Sequence, residues 1–220
     1  MKLNNETVDI LKNFSTINQN ILVKEGSELR TMSTMKNILG TATVPETFPK
    51  EFGIYDLNEF LGVLTLHQTP ELEFNNDSYL TIRGGSTKST YFFSDHSILV
   101  TPPPVFNAPE TDVSFKVTKE AMSNVSKASA VMQLPDLVFT GTSQGVTMAV
   151  TDLKNTTSNQ FEESWEHEGD KAFQFNYKIE NLKMIPGEYV VDVSTTALVS
   201  HWKNQSKDID YWIALEQPSD

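Results

Sequence analysis

The sequence predicts an α+β fold built from two similar halves. Each half has the same order of elements: an amphipathic helix, β-strands, a second short helical stretch and further strands. A proline-rich segment with three consecutive prolines lies between the halves. Because prolines lack a backbone N–H donor and favour an extended chain, a sheet ends at such a segment. We therefore expect domains over residues 1–100 and 113–220, joined by a connector over residues 101–112.

Apolar residues at helical spacing predict the first helix of each half. In the first half they are Ile10, Phe14, Ile17 and Ile21. In the second half they are Val117, Ala121, Val125, Ala128 and Met132. The polar faces of the two helices carry basic side chains that include Lys12, Lys119 and Lys127.

Runs of β-branched and aromatic residues around glycine-containing turns predict hairpins. The clearest hairpin joins residues 137–142 to residues 146–150 across a turn at Gly145. The second helical stretches are predicted over residues 56–64 and 179–184, with Asp56 and Asn181 as N-caps. The closing strands are predicted over residues 79–82, 89–93, 189–193 and 211–215.

The composition excludes several classes of protein. Hydrophobic residues make up 38% of the 220 residues, which is enough for a core and argues against disorder. No apolar run reaches the roughly 18 residues that span a bilayer, and the first residues do not resemble a signal peptide. The absence of cysteine excludes disulfides, thiolate metal sites and thiol nucleophiles. We expect a soluble, cytoplasmic protein.

Three features resemble functional sites without meeting their requirements. The segment from Gly84 to Ser89 lacks the glycine before lysine of a phosphate loop, so a hairpin turn is expected there. The acidic run from Glu162 to Asp170 lacks calcium-loop spacing and is expected to be a solvated loop. The histidines lack metal-ligand spacing and are expected at the surface; they are His67, His96, His167 and His201. We expect no cofactor, no metal and no catalytic residue.

Four segments, in the same order along the chain, resemble the sliding clamps of T-even-type bacteriophages. They are LKNFSTIN at 11–18, IYDLNEFLGVLTL at 54–66, MIPGEY at 184–189 and YWIALE at 211–216. The resemblance implies the DNA clamp fold, in which two similar domains each pack two helices on antiparallel sheets. It also implies a homotrimeric ring, with helices lining the hole and sheets forming the outer wall.

The resemblance implies a non-enzymatic function in the cytoplasm of an infected bacterium. Such a ring encircles duplex DNA without sequence preference and tethers the replicative DNA polymerase. A separate ATP-dependent clamp loader opens and closes it. The family also suggests a mobile platform for late transcription, with a sigma-like factor and a coactivator as partners.

The net charge of −12 argues against DNA binding unless positive charge is segregated on one surface. A ring held on DNA by topology needs only weak phosphate contacts, because many strong ones would slow its sliding. The resemblance makes Lys2, Lys12 and Lys127 candidates for the DNA-facing surface, and Lys119 is added on helical spacing. Asn5 and Ala130 stand where the family often has basic residues, so this surface is expected to be less positive than usual.

Two further surfaces follow from the resemblance. The connector of a clamp overlies a pocket for partner peptides, which makes Val105, Phe106, Ile213 and Leu215 candidates for that pocket; simple core packing of the connector's apolar residues is the alternative. The strand edges expected to meet between subunits carry Ser89, Tyr91 and Phe93 in the first half and Val146, Met148 and Val150 in the second.

Two other functions remain open at this point. One is a β-rich virion or interaction protein that does not encircle DNA, in which case the lysines are ordinary surface residues. The other is an enzyme, such as a glycan hydrolase, that uses carboxylates of the Glu162 to Asp170 run.

Overall fold

The computed structural model describes residues 1–167, 169 and 171–217. The chain divides into two compact units, Met1–Phe106 and Asn107–Asp220, and each contains helices and antiparallel strands. The predicted α+β class is confirmed in both units. None of the helices in the described ranges combines the length and apolar character needed to cross a membrane.

The first unit contains two α-helices and seven strands among its described residues. Strands β1 and β4 pair with each other, β2 and β3 form a hairpin, and β5, β6 and β7 form an antiparallel sheet in that order. The elements are α1 (Asn5–Ile17), β1 (Ile21–Val23), β2 (Gly26–Met32), β3 (Ile38–Phe48), β4 (Phe52–Ile54), α2 (Leu57–Thr65), β5 (Glu71–Glu73), β6 (Tyr79–Gly84), β7 (Thr87–Phe92) and a 3-10 turn (His96–Ile98).

Helix α1 ends earlier than the apolar pattern predicts. Ile10, Phe14 and Ile17 lie on its buried face, but Ile21 belongs to β1, so its predicted place in the helix is wrong. The chain leaves the helix at Asn18, which is extended and whose side-chain Nδ2 donates to the backbone oxygen of Met32 at 2.8 Å. Its Oδ1 also accepts from the Asn20 N–H at 3.0 Å, and a local bond of this kind competes with the helical hydrogen bonds, which explains the early end.

The predicted N-cap of helix α2 is confirmed. Asp56 Oδ1 accepts hydrogen bonds from the backbone N–H groups of Asn58 at 2.9 Å and Glu59 at 3.1 Å. These bonds satisfy donors that the first helical turn leaves unpaired. The N–H of Glu59, followed by the Gln19 side chain, holds the pKa of Asp56 below its ordinary value. The first turn of α2 is therefore fixed next to the end of α1.

The second unit contains one α-helix and eight strands among its described residues. One sheet has the order β11-β10-β9-β12, and β8, β13, β14 and β15 pair in succession. The elements are β8 (Val113–Val117), α3 (Lys119–Met132), β9 (Asp136–Thr142), β10 (Gly145–Thr151), β11 (Phe161–Trp165), β12 (Phe173–Lys178), a 3-10 turn (Ile179–Asn181), β13 (Tyr189–Ser194), β14 (Val199–Asn204) and β15 (Ile209–Ala214).

Helix α3 is shorter at its start than the apolar pattern predicts. Thr118 caps it by accepting from the Ala121 N–H at 3.1 Å, so Val117 is the last residue of β8. Ala121, Val125 and Ala128 form its buried face. Met132, which was predicted to share that face, is 40% exposed, because the helix ends there with Gln133 in the left-handed region.

The predicted helix over residues 179–184 is a single 3-10 turn, and Asn181 is its last residue rather than its N-cap. Two tyrosines fix the backbone just beyond it. The Tyr211 hydroxyl accepts from the Ile185 N–H at 3.1 Å, and the Tyr189 hydroxyl donates to the Ile185 oxygen. Because these side chains take the backbone groups that a helix would pair, the chain stays irregular there.

Trp202 lies at the centre of the core of the second unit. Its ring contacts Phe139, Tyr177 and Tyr189, with ring centroids 6.1, 5.8 and 6.0 Å away. Its indole N–H donates to the Ser200 hydroxyl at 2.8 Å, so the buried polar atom is paired. This aromatic cluster joins β9 and β12 of one sheet to β13 and β14 of the other.

Replacing Asp56 with alanine is expected to lower the free energy of unfolding by about 1 kcal/mol, because α2 loses its N-cap. Since the pKa of Asp56 is lowered in the folded state, this stabilisation is present above the ordinary Asp pKa of about 3.9 and is lost as pH falls further. Urea unfolding at one fixed protein concentration measures it.

The matched control is Asp9→Ala on α1, because Asp9 makes only an exposed pair with Lys12 at 3.4 Å. That pair is expected to contribute only a few tenths of a kcal/mol. Equal effects of the two substitutions at neutral pH would contradict the capping role of Asp56.

Candidate nucleic-acid and protein interfaces

Lys2 and Lys12 lie on the same cleft in the first unit. The cleft has a volume of about 460 Å³ and lies beside α1 and α2, with Leu61, Leu64 and Leu72 in its wall. Both lysines are exposed, and the Nζ atom of Lys12 is 3.4 Å from Asp9 Oδ1. An exposed pair at that distance leaves most of the lysine charge available to a ligand.

Lys119 and Lys127 lie on α3 of the second unit, and both are exposed. They are eight positions apart, so they share one side of the helix, away from the face of Ala121, Val125 and Ala128. Asn5 and Ala130 are also exposed. They are the two positions at which a missing basic residue is expected to make this surface less positive. Each unit therefore carries lysines on the solvent face of a helix.

Strand β7 is an outer strand of the β5-β6-β7 sheet, but its predicted interface residues mostly face inward. Tyr91 is 9% exposed; its ring centroid is 5.3 Å from that of Phe60, and its hydroxyl donates to the Asp56 oxygen at 3.3 Å. Phe93, just after the strand, packs against Phe52 with centroids 5.2 Å apart. The exposed aromatic residue is Phe92, at 68%.

Phe92 lies within the predicted edge segment from Ser89 to Phe93 but was not among the residues singled out for the interface. Its ring contacts Tyr79 on β6 with centroids 5.5 Å apart, and the rest of its surface faces solvent. The strand period of two could have identified it, because Tyr91 and Phe92 must point to opposite faces.

Ser89 lies beside His67, which was predicted to lie at the surface. His67 is only 7% exposed, so that prediction is wrong. Its ring nitrogens pair with the hydroxyls of Thr87 at 2.6 Å and Ser89 at 2.9 Å. These two bonds satisfy the buried imidazole and fix the first half of β7 to the segment after α2.

The prediction that β10 is a meeting edge is wrong. Strand β10 pairs with β9 on one side and β11 on the other, so its backbone groups are already used. The side chains of Val146, Met148 and Val150 are fully buried within the unit. An apolar run of this kind is typical of a central strand. The outer strand on this side of the sheet is β11.

Strand β11 contains the start of the acidic run, so the expectation of a loop is wrong for Glu162 and Glu163. Glu163 accepts from Asn124 Nδ2 of α3 at 2.9 Å, and Glu162 accepts from Gln160 Nε2 at 2.6 Å. Among the described residues no group of three or more His, Asp or Glu side chains is arranged to hold a metal ion. Glu168 and Asp170 of the run lie outside the described residues.

The segment from Gly84 to Ser89 forms a hairpin turn, as predicted. Gly84 pairs with Thr87 across the turn between β6 and β7, and Gly85 has a φ of +59°. A side chain at Gly84 would come within 2.3 Å of the backbone oxygen of Gln68. The glycines therefore serve the turn and its close approach to a neighbouring segment.

The four residues predicted for a partner-peptide pocket have different environments. Val105 is 73% exposed and Phe106 is 36% exposed in the connector. Ile213 is fully buried in β15, so its assignment to an open pocket is wrong. Leu215, just after β15, is half-buried and lies on a cleft of about 450 Å³ together with Phe175 and Leu198.

Family models match both parts of the chain. Residues 4–100 match the model described as DNA polymerase processivity factor, and residues 114–217 match the one described as gp45 sliding clamp, C terminal. The sliding clamp of Vibrio phage KVP40 is 32% identical, with 98% of this chain and 99% of that protein covered. The sliding clamp of Enterobacteria phage T4 is 26% identical, with coverage of 100% and 98%.

Solved structures of other clamps share the fold. The PCNA of A. fulgidus, solved with the C-terminal region of FEN-1, has a TM-score of 0.70 at 13% identity, with 97% of this chain and 96% of that chain covered. The Helicobacter pylori beta clamp, solved with a DNA ligase peptide, has a TM-score of 0.66 at 15% identity, with coverage of 100% and 68%. These likenesses confirm the α+β DNA clamp fold.

The two family models cover both units in chain order, and the KVP40 relative matches over nearly the full length of both proteins. The resemblance found in the four sequence segments is therefore confirmed. The chain belongs to the family of phage sliding clamps, which are non-enzymatic DNA polymerase processivity factors.

Proposed function

We propose that three copies of this chain form a ring that encircles duplex DNA and tethers the replicative DNA polymerase in the cytoplasm of the infected bacterium. A separate ATP-dependent loader places the ring on DNA. Residues 101–112 serve as the connector between domains 1–100 and 113–220. The observation that carries the proposal is the presence of exposed lysines on helices of both units in a chain of net charge −12.

The lysines suit a surface that DNA slides past. Lys2, Lys12, Lys119 and Lys127 are exposed and lie on or beside helices, where they can reach phosphates without specific base contacts. Their small number keeps the total attraction to the phosphates weak, and the acidic remainder of the surface repels DNA. Retention on DNA then depends on ring closure rather than on affinity.

Ring closure needs two complementary edges on each chain. Strand β7 ends one sheet of the first unit and β11 ends one sheet of the second. Open edges of this kind expose unpaired N–H and C=O groups that favour pairing with another chain. Lys88 and Phe92 are exposed on β7, whereas Glu162 and Glu163 lie on β11. A head-to-tail contact between β7 and β11 is heterologous, and such contacts close a ring when the rotation allows it.

The connector supplies the contact for the polymerase. Val105 and Phe106 present apolar surface to solvent, and Leu215 lies on a partly apolar cleft in the second unit. Once the ring is on DNA, a weak contact suffices, because tethering raises the effective concentration of the polymerase at the primer end. The same surface would serve a sigma-like factor and a coactivator during late transcription, as the similarity to T4-like clamps suggests.

The double substitution Lys12→Glu with Lys127→Glu is expected to reduce polymerase stimulation on circular primed DNA about tenfold, the effect of ~1.4 kcal/mol. The ring should remain folded, because both side chains are exposed. The measurement is loader-dependent DNA synthesis at several salt concentrations.

Its control is Lys116→Glu with Lys154→Glu, which makes the same change of charge at exposed positions off the α3 helix. Full activity of the Lys12 and Lys127 variant would remove these residues from the DNA-facing surface.

Phe92→Asp is expected to shift the chain from trimer to monomer, because it places a charge on the apolar part of the β7 edge. Light scattering over a dilution series should give a wild-type mass near three times 24.7 kDa and a lower mass for the variant. Ile98→Asp is the control, since Ile98 is also exposed but lies in the 3-10 turn after β7. A wild-type protein that stays monomeric at every concentration would favour an interaction protein that does not encircle DNA.

Val105→Ser with Phe106→Ser is expected to weaken polymerase binding at least about tenfold, because burial of one large apolar side chain contributes about 1.5–3 kcal/mol. Loading onto DNA should be unaffected. The control is Ile98→Ser with Leu153→Ser, which removes exposed apolar side chains elsewhere. If the polymerase binds the Val105 and Phe106 variant as tightly as the wild type, the connector is not its contact.

A further inference from the structure

The connector is exposed in its middle and held at both ends. None of the residues 105–111, all of which the structure describes, lies in a helix or a strand. All of them except Pro109 are exposed. A segment of this kind would ordinarily sample many conformations, and ordering it during binding would reduce affinity. Contacts at its two ends contribute to the ordering that exists beforehand.

The start of the connector is held by Arg30 of β2. Its Nη1 atom donates to the backbone oxygens of Pro103 at 3.1 Å and Pro104 at 3.4 Å. Because prolines have no N–H, the triple-proline run cannot form a regular ladder with a neighbouring strand. A planar guanidinium group suits the two adjacent carbonyls, since its donors are fixed in a fork that lysine lacks.

The end of the connector is held by Asp112, immediately before β8. Its N–H donates to the Val193 oxygen at 2.9 Å. Its carboxylate accepts from the Thr195 N–H at 2.8 Å, from the Thr195 hydroxyl at 2.7 Å and from the Lys171 ammonium group. The Lys171 bond, followed by the two Thr195 bonds, holds the pKa of Asp112 far below its ordinary range.

We infer that Arg30 and Asp112 are positioning residues that help to hold the connector as a preordered surface for the replicative DNA polymerase. They act through the connector and do not themselves touch the partner. The inference rests on the proposed role of Val105 and Phe106 as a partner contact. Removing the side-chain contacts at either end loosens that end of the connector, so the partner must order more of it when it binds.

The absence of cysteine allows a direct test of connector order. Ala108→Cys adds one thiol at an exposed position in the middle of the connector, which takes a nitroxide spin label. The Arg30→Ala and Asp112→Ala variants should each narrow the electron paramagnetic resonance spectrum of the assembled protein. Lys24→Ala and Asp95→Ala are the controls: Lys24 lines the same cleft as Arg30, and Asp95 is an exposed cap of the 3-10 turn.

The second readout uses the purified replicative DNA polymerase of the same phage as the probe. Both variants should raise its Kd at least about fivefold, while loader-dependent retention on circular DNA stays at the wild-type level. Arg30→Lys should restore binding only in part, because an ammonium group lacks the fixed fork of a guanidinium. A general loss of stability would lower retention as well, so the two readouts separate positioning from folding.

The possible outcomes distinguish a failure of this inference from a failure of the proposed function on which it rests. An unchanged spectrum in both variants would show that the two residues do not order the connector. A narrowed spectrum with unchanged Kd would overturn their role in partner binding. If Val105→Ser with Phe106→Ser also left the Kd unchanged, the proposed partner contact itself would fail, whatever the spectra show.

Discussion

The N–H and C=O groups along the outer strands of each sheet need hydrogen-bond partners, and this need links the fold of each unit to the proposed assembly. Strand β10 pairs on both sides, so it belongs to the interior of its sheet. Strands β7 and β11 each lie at the end of a sheet. A long-lived soluble chain covers, charges or pairs such edges. In the proposed trimer, pairing β7 with β11 of the next subunit would also close the ring on which retention on DNA depends.

The distribution of charge bears on the objection that a net charge of −12 raises against DNA binding. An excess of acidic groups keeps the chain away from nucleic acid unless basic groups gather on one surface. The exposed lysines of α1 and α3 place positive charge on the proposed DNA-facing surface, and Glu6 and Asp9 on α1 and Glu120 on α3 reduce it. Because the proposed ring would be retained by topology, it would not need strong phosphate binding, and weak contacts would preserve sliding.

The sequence correctly predicted those parts of the fold that depend on interactions between residues close together in the chain. The Asp56 cap and the hairpin turn at Gly145 follow from hydrogen bonds and backbone angles within a few residues. The predictions were wrong where contacts between residues distant in the sequence determine the local structure. Asn18 reaches Met32 and ends α1 before Ile21, and Tyr211 captures the backbone of Ile185. Neither contact can be inferred from the spacing of apolar residues in a helix or a strand.

The candidate surfaces were harder to predict than the fold for a related reason. An apolar run such as Val146 to Val150 has the same composition whether its strand is central or at an edge. Only the pairing of β10 with both β9 and β11 shows that this strand is central. Ile213 likewise fits a pocket or a core equally well by sequence. The exposed lysines were easier, because a helix with a clear buried face leaves little freedom for its polar residues.

The connector shows how a weak partner contact can remain specific. A fully flexible linker would accept many partners but would lose affinity to ordering, whereas a segment packed into the core would offer no surface. The contacts of Arg30 with the proline carbonyls and of Asp112 with Thr195 fix the ends and leave Val105 exposed. In the proposed trimer, three such connectors would present equivalent surfaces, so partners could exchange on DNA while the ring stays closed.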